Sequence, residues 1–282
     1  MITKAAGYLR FRDPAGAPPE SVQLERDGFA LLRGLLNPDE IAELAADLDR
    51  VFDEEPPDVR NTRVAEGHFE PFRYESLNRS AVAQRTIAHP RLLAVLEPLL
   101  GEDCHVIANT TWRQGPSEND HGGRFWHVDA GPHIPRPEGV PWDDRIPYPI
   151  FAVAAQILLQ DCPIEAGPTG VIPGSHRSGL APPADRRDDV TLTCDGVGVV
   201  PLPAKAGDVQ LFVSDIWHRR LPSMHGDPGR YFLQAHYGRR DIAQRLRTTA
   251  DANQLSEAAI ARAVTPRQRT VVGLHQPFFY DG

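Results

Sequence analysis

The chain has 282 residues, of which 41% are hydrophobic and 24% charged, so it has the composition of a globular protein large enough to bury a substantial core. Its net charge of −8 argues against a nucleic-acid-binding protein, which needs a basic face. No break in composition divides the chain, and we therefore predict one domain over residues 1–282.

The first part of that domain, residues 1–101, is predicted to be mainly helical. The run Asn37-Pro38-Asp39-Glu40 supplies an N-cap, a proline at the first helical position and acids in the first turn. A second helix is predicted from Pro90 to Leu100, where Gly101 ends it. Before the first helix, Phe29-Ala30-Leu31-Leu32 is predicted to be a short strand.

Between residues 102 and 240, short β-rich runs alternate with turns rich in Gly, Pro and Asp. These runs are Cys104–Trp112, Arg124–Val128, Ile150–Leu159, Val190–Thr193, Val197–Leu202, Val209–Val213 and Arg230–Tyr237. Many short strands separated by turns are typical of a β-sandwich or barrel. We predict a mainly β fold with flanking helices, in which N-terminal helices buttress a barrel. Residues 241–282 are expected to add a helix, Ser256–Ala263, and a tail.

Two segments are long and irregular, namely Glu54–Ser80 and the proline-rich Gly131–Pro149. Long segments without regular structure inside a compact domain are usually functional. We expect the second segment to be a lid or pocket wall. His133, Arg136 and Trp142 within it are candidate substrate contacts.

The cysteines and the apolar stretches indicate the cellular setting. Cys104, Cys162 and Cys194 are an odd number without C-x-x-C spacing, which indicates reduced thiols rather than a disulfide framework or a thiolate zinc site. The longest apolar stretch, Ile150–Leu159, is too short to span a bilayer, and the N-terminus lacks an apolar signal core. We predict a cytoplasmic monomer or homodimer with a small-molecule substrate and neither nucleic acid nor membrane as a partner.

The strongest functional signal is the run Phe125-Trp126-His127-Val128-Asp129. On a strand, side chains at i and i+2 leave the same face, so His127 and Asp129 can bind one ion together. One more histidine would complete the two-histidine, one-carboxylate set of non-haem Fe(II) enzymes, which leaves open coordination positions. The similar triplets His68-Phe69-Glu70 and His225-Gly226-Asp227 lack a strand pattern, and the second is expected to be a surface turn.

His218 is the candidate third ligand, because it follows the predicted strand Val209–Val213. Taken alone, a histidine at a strand end is more simply explained by packing, here against Trp217. His218 is therefore interpreted as a metal ligand only in combination with the triplet His127-Val128-Asp129.

Arg230 opens an alternating strand in which it shares one face with Phe232, Gln234 and His236. An arginine that points into a barrel is costly without an anionic partner. A dicarboxylate supplies such a partner, because a guanidinium can hold a carboxylate through two parallel hydrogen bonds. A structural ion pair or an exposed strand-end arginine is the alternative.

Together these residues resemble the phytanoyl-CoA dioxygenase family of Fe(II)/2-oxoglutarate-dependent oxygenases. The matching pieces are Trp126-His127-Val128-Asp129, Gly167-Pro168-Thr169-Gly170-Val171-Ile172-Pro173-Gly174-Ser175-His176, Gly207-Asp208-Val209, Trp217-His218 and Arg230. The resemblance implies a double-stranded β-helix (a cupin-like jelly roll). It further implies that His127, Asp129 and His218 are catalytic iron ligands and that Arg230 binds 2-oxoglutarate.

Other polar residues on predicted inward faces are Asn109, Thr111, Gln156 and Gln234. Thr111 and Gln156 are the candidates for binding 2-oxoglutarate beside Arg230, since such groups can hydrogen-bond a ligand or orient one. Satisfaction by the protein backbone is the alternative for each of them.

The function implied by the resemblance is hydroxylation of an unactivated C–H bond in a small molecule of secondary or catabolic metabolism. Fe(II), 2-oxoglutarate and O₂ are the implied cofactors, with succinate and CO₂ released. Asp129 favours hydroxylation, because halogenases that resemble this pattern have a small residue in place of the carboxylate. Desaturation, cyclisation or epimerisation of a natural product and a non-catalytic cupin-like binding protein remain alternatives.

Overall fold

The structure is a computed structural model that describes residues 16–54, 72–74, 76–119, 121–143, 145–242 and 255–274. The triplet at 68–70 and most of the predicted C-terminal tail lie outside the described residues. Within them, no helix is long and apolar enough to cross a membrane.

The helices lie in the first hundred residues and near the C-terminal end. Their bounds are α1 (Pro19–Asp27), α2 (Pro38–Glu54), α3 (Ser76–Arg79), α4 (Ala81–Ile87), α5 (Pro90–Leu100), α6 (Glu257–Arg262) and α7 (Pro266–Val271). Helix α2 begins at the predicted cap, because the side chain of Asn37 accepts hydrogen bonds of 3.0 Å from the N–H groups of Asp39 and Glu40. Helix α5 has its predicted bounds, and Gly101 follows it with a φ of 105° that favours glycine.

The strands form two antiparallel sheets. Their bounds are β1 (Phe29–Leu32), β2 (Phe72–Tyr74), β3 (His105–Gln114), β4 (Ala152–Leu158), β5 (Thr169–Val171), β6 (Val200–Pro201), β7 (Val209–Val213), β8 (His218–Arg220) and β9 (Arg230–Gly238). The larger sheet has the strand order β1-β7-β4-β9-β3-β2, and the smaller sheet has the order β6-β5-β8.

The two sheets pack face to face. Ala154 and Phe212 of the larger sheet share a buried cluster with Val171 of the smaller sheet. His127 extends the smaller sheet through an isolated β-bridge to His218. The arrangement is the predicted mainly β, cupin-like double-stranded β-helix with flanking helices.

The larger sheet uses its two faces differently. On β4, Ala155 and Ile157 belong to the core that the sheet shares with the helices, whereas Ala154 and Leu158 belong to clusters on the inner face. Because side chains alternate along a strand, Gln156 also lies on the inner face. The helices therefore buttress one face, and the other face lines the barrel.

Several predicted elements differ in extent. Residues 124–128 form no strand and make only the isolated bridge at His127, residues 190–193 form a turn, and the run 197–202 contributes only β6. Gly198 and Pro201 weaken a strand in the run 197–202. Strand β1 has its predicted bounds, whereas β2 comes from the segment Glu54–Ser80 that was predicted to be irregular. The two strands form the edges of the larger sheet, so residue 101 does not separate helical from β structure.

Candidate metal centre

The backbone brings the three predicted ligands together. His127 and His218 exchange N–H to carbonyl hydrogen bonds of 3.0 Å in both directions. The N–H of Asp129 donates to the carbonyl of Ser214 at 3.0 Å. The segment that carries His127 and Asp129 is thereby fixed beside the first residue of β8.

The side chains converge as a metal site requires. Nε2 of His127 lies 3.8 Å from Oδ1 of Asp129, and Nε2 of His218 lies 3.5 Å from the same oxygen. One ligand atom from each of the three residues lies within 4.8 Å of the others. Among the residues that the structure describes, these three form the candidate metal group. Two imidazoles and one carboxylate leave coordination positions open.

Both imidazoles are held in the tautomer that binds metal. Nδ1 of His127 lies 2.8 Å from the carbonyl oxygen of Phe125, and Nδ1 of His218 lies 3.0 Å from that of Ile216. A carbonyl can only accept, so each Nδ1 carries the proton. In the neutral ring, each Nε2 is then left with the lone pair that a metal ion needs.

Asp129 has a buried oxygen without a partner. Its Oδ2 makes no hydrogen bond within the described part of the chain, and Nδ1 of His236 lies 3.7 Å away. Burial opposes ionisation of this carboxyl, but the neighbouring imidazoles, His218 before His236, hold its pKa well below the usual range. An unpaired buried carboxylate oxygen is costly, and a bound divalent cation would satisfy it. The donor set therefore fits Fe(II).

The centre is open on one side. The side chain of His127 is 38% exposed, against 6% for that of His218. Phe125, two residues before His127, is 63% exposed. The opening therefore lies beside the segment 124–129, and the wall formed by β8 is closed.

Strand β9 leads from the centre to the far end of the barrel. Its inner side chains are His236 beside Asp129, then Gln234, Phe232 and Arg230 at every second position. Arg230 is thus the member of this row farthest along the strand from the metal ligands.

One row of polar side chains crosses the inner face between those two ends. It contains Gln210, Gln156, Gln234 and Thr110, which lie in register across β7, β4, β9 and β3. Gln156 is buried, and its Oε1 accepts a hydrogen bond of 3.1 Å from the hydroxyl of Thr169. The predicted inward position of Gln156 is therefore observed.

Arg230 is buried beside Thr169 and Cys162. Its Nη2 lies 3.5 Å from the hydroxyl oxygen of Thr169 and 4.0 Å from the sulfur of Cys162. Within the described residues, no acidic side chain lies within ion-pair distance of its guanidinium. The arginine thus lacks the anionic partner that burial calls for.

Thr111 does not face the barrel, so its predicted contact with 2-oxoglutarate is not possible in this arrangement. It lies in register with Leu233 on the helix-facing side, and its hydroxyl is 2.5 Å from that of Ser76 in α3. The sequence prediction placed the alternation one residue out of phase, and Thr110 occupies the inward position.

The three predicted substrate residues hold the loop 131–149 in place. Nδ1 of His133 lies 2.6 Å from Oδ1 of Asp215. Arg136 donates to the carbonyl of Arg177 and lies over the ring of Trp142, whose own N–H donates to the carbonyl of Ile146. The structure gives these residues intramolecular partners, and contact with substrate stays a prediction.

The triplet at 225–227 is not wholly a surface feature, contrary to expectation. Asp227 is buried, and its Oδ1 lies 2.7 Å from Nη2 of Arg220. The sequence placed His236 on the same face as Arg230 but gave it no role beside the metal ligands, and it missed Thr110. The pairing of β3 with β9 puts Thr110 on the inner face, and the sequence carries no signal for that register.

Comparisons with known proteins identify relatives of this chain. A family model described as phytanoyl-CoA dioxygenase (PhyH) matches residues 24–222. An ectoine dioxygenase of Nocardia farcinica is 26% identical over 214 residues, which make up 69% of this chain and 68% of that protein.

Solved structures share the fold, among them SnoN and EctD. The epimerase SnoN, in complex with Fe3+, alpha ketoglutarate and nogalamycin RO, has a TM-score of 0.63 and 23% identity, covering 87% of this chain and 92% of that one. EctD from S. alaskensis, with 2-oxoglutarate and 5-hydroxyectoine, has a TM-score of 0.61 and 21% identity, covering 89% and 82%.

Proposed function

Because the chain belongs to the phytanoyl-CoA dioxygenase family, we propose that it hydroxylates a C–H bond of a small-molecule substrate. Its enzyme class and cofactors are those predicted from the sequence: it is a non-haem dioxygenase that uses Fe(II), 2-oxoglutarate and O₂. We further propose which residues hold those groups, which reaction results and which class of substrate is used.

The observation that carries the proposal is the pairing of two fixed imidazole tautomers with a buried, unpartnered carboxylate oxygen. His127, Asp129 and His218 would hold Fe(II). Bound iron supplies the oxidative decarboxylation of 2-oxoglutarate by O₂, to succinate and CO₂, coupled to oxidation of the substrate.

The protein's own contribution is positioning. Arg230 would bind the distal carboxylate of 2-oxoglutarate through its guanidinium, with the hydroxyl of Thr169 beside it. The hydroxyl of Thr169 donates to Oε1 of Gln156 and accepts from Nη2 of Arg230, so it holds the guanidinium in place. This guanidinium lies at the far end of the barrel from the metal ligands, so an extended dicarboxylate would span the interval between them.

The same walls exclude water from the closed side of the centre. The ring of His218 packs 4.6 Å from that of Phe212, and Val171 lies in the same cluster of the two sheets. Access for substrate is then from the side of His127, where the exposed Phe125 lies. A dry closed side limits side reactions of the co-substrate.

Asp129 favours hydroxylation over halogenation, because its carboxylate takes the coordination position that a halide would need. The matched relative is named a dioxygenase, which favours hydroxylation over the remaining outcomes. Epimerisation and cyclisation occur on the same fold, as the names of SnoN and of the carbocyclase SnoK state. The outcome depends on the pose of the substrate and not on the fold.

We place the enzyme in small-molecule metabolism, including natural-product pathways, and in the cytoplasm as a monomer or homodimer. All three cysteines fall within the described residues and are unpaired and buried, which supports a reducing compartment. Gel filtration with light scattering would give the oligomeric state directly.

Product analysis tests the proposed reaction. Purified enzyme with Fe(II), 2-oxoglutarate and O₂ would be offered a panel of small molecules that begins with ectoine, the compound in the name of the matched relative. Succinate formed in step with a product that is one oxygen atom heavier supports hydroxylation. A product two hydrogens lighter, or a stereoisomer of unchanged mass, would replace hydroxylation by desaturation, cyclisation or epimerisation.

A further inference from the structure

The end of the barrel at Arg230 carries more positive charge than a single arginine that binds 2-oxoglutarate would supply. Three arginines meet there, Arg124, Arg220 and Arg230. Arg220 is neutralised by Asp227, since their side chains are 7% and 2% exposed and lie 2.7 Å apart. Arg124 and Arg230 have no carboxylate partner within the described parts of the chain.

Arg124 and Arg230 flank the same pair of aromatic rings on the inner face. The guanidinium carbon of Arg124 lies 4.7 Å from the ring centroid of Trp112. The Trp112 ring stacks on Phe232 at 6.0 Å, and the guanidinium carbon of Arg230 lies 5.7 Å from the centroid of Phe232. Arg124 is an exposed residue, but desolvation by the surrounding protein and then the charge of Arg230 lower its pKa. The two cations therefore act on one another.

The position of Arg124 is fixed by the barrel. Its N–H donates to the carbonyl of Arg220 at 3.0 Å, three residues before the bridge between His127 and His218. Arg124 thus lies on the open side of the site, whereas Arg230 rises from the opposite wall.

A further donor at this place is also without a partner. The indole Nε1 of Trp112 is buried and makes no hydrogen bond to any described residue. An indole N–H can only donate. The buried guanidinium of Arg230 and the buried indole N–H of Trp112 lack acceptors, and the exposed Arg124 adds a second guanidinium over the Trp112 ring. Together they indicate that an anion completes this end of the barrel.

Building on the proposed function, we propose that Arg124 is a second arginine for 2-oxoglutarate. It closes over the distal carboxylate from the open side while Arg230 binds that carboxylate from the opposite wall. Trp112 supports the guanidinium of Arg124 with its ring face and offers its N–H to the same anion. The proposal assigns Arg124 to the co-substrate rather than to the oxidised substrate.

The test compares two ligands on Fe(II)-loaded protein by anaerobic calorimetry. 2-Oxoglutarate carries the distal carboxylate, and 2-oxopentanoate has the same carbon chain without it. Arg124→Gln should weaken 2-oxoglutarate about 10- to 100-fold, the loss expected for hydrogen bonds to a charged group. It should leave the dissociation constant of 2-oxopentanoate unchanged within about twofold. Arg124→Lys should recover part of the loss, because it keeps the charge without the paired donors.

Arg113→Gln is the matched control. Arg113 is the next residue after Trp112 and also lies over an aromatic ring, Phe52, but it faces the helices and pairs with Asp49. The Arg113→Gln variant should bind 2-oxoglutarate and 2-oxopentanoate with the dissociation constants of the parent protein.

The outcomes separate this inference from the proposed function. If Arg124→Gln binds 2-oxoglutarate like the parent, or weakens both ligands equally, the inference is wrong. If the variant changes only the KM for the oxidised substrate, Arg124 belongs to the substrate side and the inference is also wrong. If the parent protein itself fails to bind 2-oxoglutarate, the proposed function fails.

Discussion

His127 and His218 exchange two backbone hydrogen bonds of 3.0 Å, and their ring centroids lie 4.2 Å apart. A single β-bridge therefore brings together two imidazoles that are distant in the sequence. Because the backbone sets their spacing, a change at a ligand side chain should alter metal binding while it leaves the barrel intact.

Asp129→Asn should lose iron. The substitution keeps the shape of the side chain but removes the charge that a divalent cation requires. Since disturbing a residue that merely orients a metal ligand already costs about 10- to 100-fold in affinity, we expect at least that loss here. Iron content after dialysis against a chelator of known affinity measures it.

Asp241→Asn serves as the control for Asp129→Asn, because Asp241 forms a peripheral ion pair with Arg239 at 2.8 Å. It should retain iron like the parent. Equal iron retention in both variants would show that Asp129 is not a ligand.

Thr110 and Thr111 form a matched pair on opposite faces of β3. Thr110→Val removes a hydroxyl from the inner row and should raise the KM for 2-oxoglutarate severalfold, with little change in the free energy of unfolding. Thr111→Val removes the contact with Ser76 and should lower the free energy of unfolding by about 1 kcal/mol, with an unchanged KM. Steady-state kinetics and urea unfolding check the two outcomes, and the reverse pattern would place Thr111 in the pocket.

Asp227→Ala should destabilise the fold strongly. It would leave the buried guanidinium of Arg220 without its partner, which costs about 3–5 kcal/mol. Replacing both residues by apolar ones, Arg220→Met with Asp227→Leu, should recover much of that loss. Urea unfolding of the single and double variants measures the coupling, and a loss below about 1 kcal/mol for Asp227→Ala would contradict a buried pair.

The same pair predicts a pH dependence. Burial alone would raise the pKa of Asp227, but the hydrogen bonds from Arg220 and from the N–H of Gly229 leave it below the usual value. The carboxylate therefore contributes stability above the unfolded-state pKa, and that contribution is lost as the pH falls below about 4. In Asp227→Asn the free energy of unfolding should depend less on pH below about 4 than in the parent. An unchanged dependence on pH would show that the pair of Arg220 and Asp227 is not its cause.

The sequence predicted the family, the fold and the cofactors because those rest on local patterns. His127 and Asp129 do approach one another as their i, i+2 spacing predicted, although an isolated β-bridge and not a strand holds them, and the alternation in β9 is observed. The bounds of β1, β7 and α5 were also predicted, since turn residues or helix caps frame each of them.

The strand register and the long-range pairing of residues could not be predicted from the sequence. Whether Thr110 or Thr111 faces inward depends on how β3 pairs with β9, and a shift of one residue reverses every side chain. The burial of Asp227 depends on Arg220, which lies on a different strand. The contact between Thr169 and Arg230 could not be predicted for the same reason, because Thr169 belongs to β5 of the smaller sheet and Arg230 to β9 of the larger one.

The central claim is that His127, Asp129 and His218 form the iron site at which 2-oxoglutarate binds. Anaerobic addition of Fe(II) and then 2-oxoglutarate tests it most directly, through the visible charge-transfer absorption that the two give when bound together. The parent protein should develop this band, and His127→Ala should not, while both proteins remain folded by circular dichroism. A band of equal intensity in His127→Ala, or no band in the parent, would contradict the account.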